Sequence, residues 1–202
     1  MILQVNPLNP QPRLIEKTVE VLRRGGVIVY PTDTYYGIGC DIMQKKAIEK
    51  IYRIKNRNKN KPFSFICSGL KNISHYAKVT NYAYKTMKRL LPGPYTFILE
   101  GSNLVPKIML TKRKTAGIRV PDHPICMALV DALGNPIIST SAATPEGSVF
   151  FDPSLIQDYF GSRIDLTIDG GPAPGSPSSV ISLHHDAPEI IRRGIGDVSL
   201  FE

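Results

Sequence analysis

The sequence predicts one α/β domain that spans residues 1–202. Apolar runs of strand length alternate along the chain with segments whose apolar residues recur at helical spacing. The intervals between the strand candidates are too uneven for a doubly wound sheet of repeated βαβ units. Because the chain shows no internal repeat and no linker long enough to divide it, we expect a single domain.

The helices are predicted from their apolar faces and their end signals. In the first helix, Leu14, Thr18 and Leu22 share one face, and Gly25-Gly26 after a pair of arginines marks the C-terminal end. The predicted helices are Leu14–Leu22, Ala47–Ile54, Tyr82–Leu91, Pro124–Leu133 and Pro153–Phe160.

The strands are predicted from short apolar runs, many of them next to glycine or proline. They are Val27–Tyr30, Phe63–Cys67, Tyr95–Leu99, Ala116–Val120, Pro136–Ser139, Ile164–Ile168 and Val180–Leu183. Pro31 cannot donate to a central ladder, so the first strand should end before it. The segment from Tyr30 to Gly39 is then interpreted as a hydroxyl-rich loop.

Composition excludes several classes of protein. With 42% hydrophobic and 21% charged residues, the chain is typical of soluble globular proteins rather than disordered ones. It has no apolar run near the roughly 20 residues that span a membrane, and its N-terminus does not resemble a secretory signal. Cys40, Cys67 and Cys126 are far apart and suit reduced thiols, so we expect a cytoplasmic protein.

Two polar segments indicate an anion-binding site. The loop that ends at Gly39 is rich in hydroxyl groups, and Lys55–Pro62 concentrates positive charge about twenty residues later. The net charge of +8 favours an anionic partner, either a nucleotide or a nucleic acid. The chain contains neither a Walker A phosphate loop, nor a dinucleotide-binding Gly-x-Gly-x-x-Gly, nor a Gly-x-Ser-x-Gly elbow.

Several short motifs follow one another in a specific order between Arg13 and Gly194. They are Tyr30–Thr34 with Tyr36–Gly39, Lys55–Arg57 with Lys61-Pro62, Pro92–Thr96, Gly117–Pro121, Ser139–Ala142, Ser178–Ile181 and Ile191–Gly194. In this order and spacing they resemble the YrdC-like family, also called the YrdC/YciO family. The resemblance covers nearly the whole chain.

The resemblance implies a twisted, mixed β-sheet with flanking helices and a large basic concave cavity. It also implies synthesis of threonylcarbamoyl-adenylate from L-threonine, bicarbonate and ATP, a nucleotidyl transfer that serves the threonylcarbamoyl modification of adenosine in tRNA. Mg²⁺ is expected to accompany the ATP phosphates rather than to bind protein side chains. Some larger relatives carry a second C-terminal domain, and the chain is expected to be the single-domain form.

The resemblance also assigns residues to the two substrates. Lys55 and Arg57 are expected to be catalytic and to bind the ATP phosphates, together with Lys61, Ser141 and Arg192. The residues expected near threonine are Thr32, Thr34, Arg119 and Ser179. Arg119 is suited to the threonine carboxylate, because a guanidinium group offers a bidentate fork.

Two departures from the family pattern leave other functions open. The synthases usually have Ser-x-Asn where this chain has Ser141-Ala142-Ala143, and proline where it has Asn58. These features resemble the YciO branch of the family. One alternative is therefore an enzyme that hydrolyses threonylcarbamoyl-adenylate or a related adenylate. Another is a protein that binds tRNA or double-stranded RNA, with the basic cavity as its electrostatic footprint. Separately, Lys46, Lys50 and Arg53 form a cationic stripe on one face of a helix, which is expected to provide weak, non-specific RNA affinity.

Overall fold

Ten strands form one sheet in the computed structural model, which describes residues 1–58, 63–112, 114–184 and 187–202. The strands are β1 (Ile2–Gln4), β2 (Ile28–Tyr30), β3 (Gly37–Asp41), β4 (Ser64–Ile66), β5 (Tyr95–Glu100), β6 (Thr115–Arg119), β7 (Ile137–Ser141), β8 (Leu166–Asp169), β9 (Ser179–Ser182) and β10 (Glu189–Arg192). Their order across the sheet is β1-β8-β2-β3-β7-β4-β6-β5-β9-β10. Parallel and antiparallel pairs alternate irregularly, so the predicted mixed sheet is confirmed.

Six α-helices flank this sheet. They are α1 (Pro12–Arg23), α2 (Lys45–Ile54), α3 (Leu70–Tyr76), α4 (Asn81–Leu90), α5 (Pro124–Leu133) and α6 (Pro153–Phe160). None of the helices in the described ranges has the length and apolar character that a membrane crossing requires. All five helices predicted from the sequence are present, and α3 is an additional one.

The helices divide between the two faces of the sheet. Helices α1 and α5 pack with Ile28, Tyr30, Ile66 and Ile137 in one apolar cluster. Helices α2, α3, α4 and α6 contribute to a second cluster, which also contains the side chains on the opposite face of β3, β4, β5 and β6. The layer formed by α1 and α5 covers only part of its face, because no side chain of β5, β6 or β9 belongs to its cluster. The uncovered part of that face carries the cavity described below.

Strand β3 contradicts the interpretation of Tyr30–Gly39 as one loop. The loop ends at Tyr36, and Gly37–Asp41 is a buried strand between β2 and β7. Glycine is depleted in strands, so the Gly-Ile-Gly pattern predicted a loop. Here the two glycines make room for Tyr30. A Cβ atom added at Gly39 would lie 2.8 Å from Tyr30 Cε1 and 2.4 Å from the carbonyl oxygen of Ile138.

The packing around β3 predicts that a glycine-to-alanine substitution lowers the free energy of unfolding more at Gly39 than at Gly37. Gly39→Ala should lower the free energy of unfolding by about 3 kcal/mol, at the upper end of overpacking effects, because backbone of β7 must move. Gly37→Ala should cost only about 1 kcal/mol, because its nearest contacts are side-chain atoms 3.0–3.3 Å away. Urea unfolding of both variants measures the difference, and equal losses would contradict this account of β3.

Candidate functional site

A cavity of about 490 Å³ lies on the sheet face that α1 and α5 leave open. Its floor consists of small or short side chains at alternate positions of neighbouring strands: Gly37, Ser64, Thr96, Gly117, Ser139 and Val180. Their neighbours in sequence, such as Phe65, Phe97 and Ile118, point into the core on the other face. Because side chains alternate along a strand, one face is polar and shallow while the other is apolar and filled.

The side chains that line the cavity are positively charged or neutral. Arg57, Arg119 and Arg192 line it, and among the described lining residues there is no aspartate or glutamate. The described ranges also contain no group of three or more His, Cys, Asp or Glu side chains that could hold a metal ion. The donor set is therefore suited to anions, and a divalent cation fits there only when it arrives bound to an anionic ligand.

Arg119 is held rigidly at one end of the cavity. Its Nη2 donates to Asp33 Oδ1 at 2.8 Å and to Thr34 Oγ1 at 3.0 Å, and only 9% of the residue is exposed. The second oxygen of Asp33 accepts from the backbone N–H of Asp122 at 3.1 Å. Arg119 Nε is buried and has no hydrogen-bond partner in the described part of the chain. A buried donor of this kind is costly unless a ligand satisfies it.

The hydroxyl groups of Thr32 and Thr34 set the position of Arg119. Thr32 donates its only proton to the carbonyl oxygen of Tyr35 at 2.6 Å. The contact of 3.0 Å between the two hydroxyl oxygens must therefore be a donation from Thr34 to Thr32. Thr34 then presents lone pairs, one of which accepts from Arg119. Both predicted threonines line the cavity, and their main role in the free protein is to orient the guanidinium group.

Arg192, which was predicted to bind the ATP phosphates, instead approaches the same end of the cavity as Arg119, from β10. Its Nε and Nη2 donate to the carbonyl oxygen of Ser178 at 3.1 and 2.8 Å, and Nη2 also contacts Ser178 Oγ at 3.1 Å. Burial lowers the pKa of Arg192, and the charge of Arg119 lowers it further. Two guanidinium groups thus face one region of the cavity, which favours a carboxylate or phosphate between them.

Ser179, predicted near threonine, does not line the cavity. Its hydroxyl donates to the carbonyl oxygen of Gly196 at 2.5 Å and accepts from the N–H of Gly194 at 3.0 Å. Ser178 lines the cavity instead, and its hydroxyl lies 2.9 Å from that of Thr96. Strand alternation explains why Ser178 and not Ser179 lines the cavity. Ser179 lies on the same face as the core residue Ile181, whereas Ser178 lies on the cavity face with Val180.

The Lys55-x-Arg57 motif is divided between two environments. Lys55 Nζ donates to the carbonyl oxygens of Ser141, at 3.1 Å, and of Ala143, and it is not among the lining residues. Burial, followed by the charge of Arg57, lowers the pKa of Lys55 to about 8. Arg57 does line the cavity, and its guanidinium carbon lies 4.9 Å from the centre of the Phe63 ring. A left-handed residue between them, Asn56 with φ 44°, turns the two side chains apart.

The other predicted residues are Ser141, Lys61 and the cationic stripe on α2, and the structure places them differently. Ser141 lines the cavity beside Gly37, as expected for a ligand contact. Lys61 lies outside the described residues. In the predicted stripe on α2, Lys50 forms an ion pair of 2.8 Å with Asp165, so this surface is less cationic than the sequence indicated. RNA binding stays a prediction.

Several residues near the cavity were not predicted. Ser64, Thr96, Gly117 and Ser139 form much of its floor, and only the alternation of short polar and bulky apolar residues in the strands could have indicated them. Tyr36 was also not among the predicted site residues. Its hydroxyl donates to the carbonyl oxygen of Gly171 at 2.6 Å and accepts from the N–H of Gly170 at 3.2 Å, so it anchors the glycine- and proline-rich loop over residues 170–177.

Comparisons with known proteins show which family the chain is similar to. The profile of the Sua5/YciO/YrdC family, described as "Telomere recombination", matches residues 20–194. An uncharacterised protein of Escherichia coli K12, YciO, is 47% identical over 200 residues, which cover 98% of this chain and 97% of that protein. A threonylcarbamoyl-AMP synthase of Vibrio vulnificus is 30% identical over 159 residues, which cover 77% of this chain and 86% of the synthase.

Solved structures give the same result. The crystal structure of E. coli YciO superposes with a TM-score of 0.95 at 45% identity and covers 100% of this chain and 99% of its own. P. abyssi Sua5, in a complex with L-threonine, superposes with a TM-score of 0.90 at 27% identity, over 96% of this chain and 57% of its own. The chain therefore belongs to the Sua5/YciO/YrdC family.

Proposed function

We propose that the protein is a threonylcarbamoyl-AMP synthase-like enzyme that uses L-threonine, bicarbonate and ATP with Mg²⁺. The reaction is a nucleotidyl transfer, and its product serves the threonylcarbamoyl modification of adenosine in tRNA. One observation carries the proposal. At one end of the cavity the guanidinium group of Arg119 is already oriented by Asp33, and a second arginine, Arg57, lies elsewhere in the lining. Relatives named threonylcarbamoyl-AMP synthase and the L-threonine complex of Sua5 support it.

The amino-acid end is assigned to Arg119 and Arg192. A threonine carboxylate between them would accept from the unpartnered Arg119 Nε and reduce the repulsion between the two guanidinium groups. Thr34 has a lone pair left after it accepts from Arg119, and this lone pair suits the substrate amine. The amine is thereby kept near the open floor of Gly37 and Ser139.

The nucleotide end is assigned to Arg57, Ser141 and Lys55, with Lys61 as a further candidate. Arg57 lines the cavity already, whereas Lys55 rests on two carbonyl oxygens at its border. A triphosphate offers Lys55 a charged partner in place of neutral carbonyls, and charge-assisted hydrogen bonds are the stronger kind. Lys55 would therefore move toward the phosphates when ATP binds.

The proposed chemistry needs no protein nucleophile. The threonine amine and bicarbonate form a carbamate with loss of water. A carbamate oxygen then attacks the α-phosphorus, and the bond from that phosphorus to the β-phosphate oxygen breaks, so pyrophosphate leaves with the electron pair. Mg²⁺ on the phosphates would supply positive charge for this transfer. The protein supplies positioning and fixed positive charge through Arg57, Arg119 and Arg192.

A second function uses the same cavity. Lys55 donates to the carbonyl oxygen of Ala143, so in the free protein the phosphate end has one cation fewer than the motif suggests. This geometry would favour an enzyme that binds threonylcarbamoyl-adenylate or a related adenylate and hydrolyses it, with water in place of pyrophosphate. The two functions differ in whether pyrophosphate takes part.

One assay separates the two. The protein is incubated with labelled bicarbonate, threonine, ATP and Mg²⁺, and both the labelled adenylate and pyrophosphate are measured. A synthase produces them in equal amounts. Decay of added threonylcarbamoyl-adenylate to AMP without formation of adenylate identifies the hydrolase. Absence of both reactions would contradict the proposed activity.

Arg57→Ala should weaken ATP binding by about 1.5–3 kcal/mol, the range for a hydrogen bond to a charged group. The expected cause is loss of the guanidinium that faces the cavity. Arg53→Ala is the matched control, because Arg53 is exposed on α2 and does not line this cavity. Calorimetry with ATP measures both variants, and equal affinities for Arg57→Ala and the wild type would refute the assignment.

Thr34→Val should weaken threonine binding about tenfold, while ATP binding stays within twofold of the wild type. Valine keeps the shape of the side chain but removes the oxygen that holds Arg119. Thr34→Ser is the control, since it keeps the hydroxyl. Titration with threonine is the measurement. A Thr34→Val protein with normal threonine affinity would show that Asp33 alone positions the guanidinium.

ATP affinity should fall as the pH rises through about 8, the pKa of Lys55 in the free protein. Phosphates bind the protonated ammonium, so the complex has a higher Lys55 pKa and binding takes up a proton above that pH. Lys55→Met should remove this pH dependence, and Lys55→Arg should shift it beyond the measured range. Calorimetry at pH 7 and pH 9.5 tests this, and an unchanged slope in Lys55→Met would exclude Lys55 as its source.

A further inference from the structure

The hydroxyl group of Tyr30 is buried at the edge of the cavity, and none of the contacts proposed for threonine or ATP involves it. Tyr30 is 0% exposed, and in the described part of the chain its hydroxyl has no hydrogen-bond partner. Phenylalanine would fill the same space without this group. An unpaired buried hydroxyl costs about 1–3 kcal/mol. A hydroxyl at this position therefore indicates a partner that the free protein does not supply.

The ring of Tyr30 crosses β3 and ends at the floor of the cavity. Tyr30 is paired with Gly37 across β2 and β3, and the edge of its ring passes over Gly39. A Cβ atom added at Gly37 would lie 3.2 Å from the hydroxyl oxygen of Tyr30 and 3.3 Å from Ser139 Oγ. Both hydroxyl groups therefore lie beside Gly37, and Gly37 and Ser139 belong to the floor.

Ser139 is the hydroxyl of the floor that the phenol of Tyr30 can orient. The other two hydroxyls of the floor have partners: Ser64 Oγ donates to the carbonyl oxygen of Ser139 at 3.1 Å, and Thr96 Oγ1 lies 2.9 Å from Ser178 Oγ. Burial raises the pKa of Tyr30, so the phenol stays protonated, and Ser139 is near enough to lower this pKa in part. A serine hydroxyl has several staggered positions about one bond, so rotation of Ser139 can bring its oxygen to accept from the phenol.

The two hydroxyl groups together form a neutral site that can both donate and accept. When Tyr30 donates to Ser139, Ser139 keeps its own proton and a lone pair for a ligand. The charged groups of threonine are matched elsewhere, the carboxylate by Arg119 and Arg192 and the amine by Thr34. The remaining polar group of threonine is its β-hydroxyl, which also donates and accepts. It lies on the carbon next to the one that bears the amine, so it stays near the floor to which the amine is held.

We propose that Ser139, oriented by the phenol of Tyr30, binds the β-hydroxyl of the amino-acid substrate and thereby selects β-hydroxy amino acids. Ser139 contacts the substrate, and Tyr30 is a positioning residue that acts through Ser139. The inference rests on the proposed function and deepens it, because it names the groups that distinguish threonine from an amino acid of similar shape without the hydroxyl. A site built around a substrate hydroxyl rejects the analogue that lacks it, because buried polar groups of the site are then unpaired.

The test compares Tyr30→Phe, Ser139→Ala and the double variant with the wild type. Tyr84→Phe is the matched control, because Tyr84 is exposed on α4 and does not line the cavity. Urea unfolding checks the fold, and Tyr30→Phe should be at least as stable as the wild type, since it removes an unpaired buried hydroxyl. Calorimetry measures the binding of L-threonine, L-serine and L-α-aminobutyrate, which has the carbon chain of threonine without the hydroxyl.

The wild type should bind threonine at least about tenfold more tightly than α-aminobutyrate. Ser139→Ala should lower the affinity for threonine and serine about tenfold, and Tyr30→Phe should lower it about fivefold. Both variants should bind α-aminobutyrate within about twofold of the wild type, because that ligand has no hydroxyl to lose. The double variant should match Ser139→Ala, since Tyr30 acts through Ser139. Tyr84→Phe should bind every ligand as the wild type does.

Equal losses for threonine and α-aminobutyrate would overturn the proposal, because a structural defect weakens both ligands alike. Additive losses in the double variant would also overturn it, since the two residues would then act independently. The same holds for a wild type that does not distinguish threonine from α-aminobutyrate. The labelled-adenylate assay then separates the two proposals. Selection of threonine through Tyr30 and Ser139 without adenylate formation would uphold this inference and contradict the proposed function, whereas adenylate formation with threonine binding unaffected by either substitution would do the reverse.

Discussion

The contact of Arg119 with Asp33 and Thr34 is the constraint on which the cavity depends. It joins β6 to the loop after β2 across the intervening strands of the sheet, and through Asp33 it also fixes the backbone at Asp122, just before α5. A buried ion pair is a weak source of stability, because the desolvation of both charges offsets their attraction. In this protein, the ion pair serves to fix the position of the Arg119 side chain. The hydroxyls of Thr32 and Thr34 supply the further hydrogen bonds that hold the guanidinium in one orientation.

The cavity itself follows from a shortage of large side chains on one face of the sheet. Four strands in a row carry glycine, serine or threonine where the covered part of the same face carries isoleucine and tyrosine. Because few large apolar side chains need burial there, the layer of α1 and α5 does not extend over this part of the face, and hydroxyl and backbone groups remain available to a ligand. The opposite face is filled by Phe65, Phe97 and Ile118 under α2, α3 and α4. The sheet therefore gains most of its hydrophobic stabilisation on the side away from the site.

Much of this arrangement could be predicted from the sequence, and the exceptions have physical causes. Five of the six α-helices were recognised because long periodic segments carry strong signals. The seven-residue α3, the strands β1 and β10 and the glycine-containing β3 lack a clear apolar pattern and were not predicted. Arg57, Arg119 and Arg192 were identified through the family resemblance. Which of Ser178 and Ser179 lines the cavity depends on the register of β9. The contact of Lys55 with the carbonyl oxygens of Ser141 and Ala143 joins segments that are far apart in the chain. No local pattern encodes such contacts.

The electrostatics of the cavity connect its two ends. In the free protein, burial and then the charge of Arg119 lower the pKa of Arg192, and burial and then the charge of Arg57 lower the pKa of Lys55, so cations repel each other at both ends. Burial makes this repulsion stronger than it would be on an exposed surface. An anion at either end removes the repulsion within that end and also reduces the positive field that the other end feels. Because the carboxylate and the triphosphate repel each other, fixed positive charge in the lining has to offset that repulsion when both bind. Asp33 compensates part of the charge of Arg119, and no aspartate or glutamate among the described lining residues adds to that compensation, so positive charge remains for the ligands.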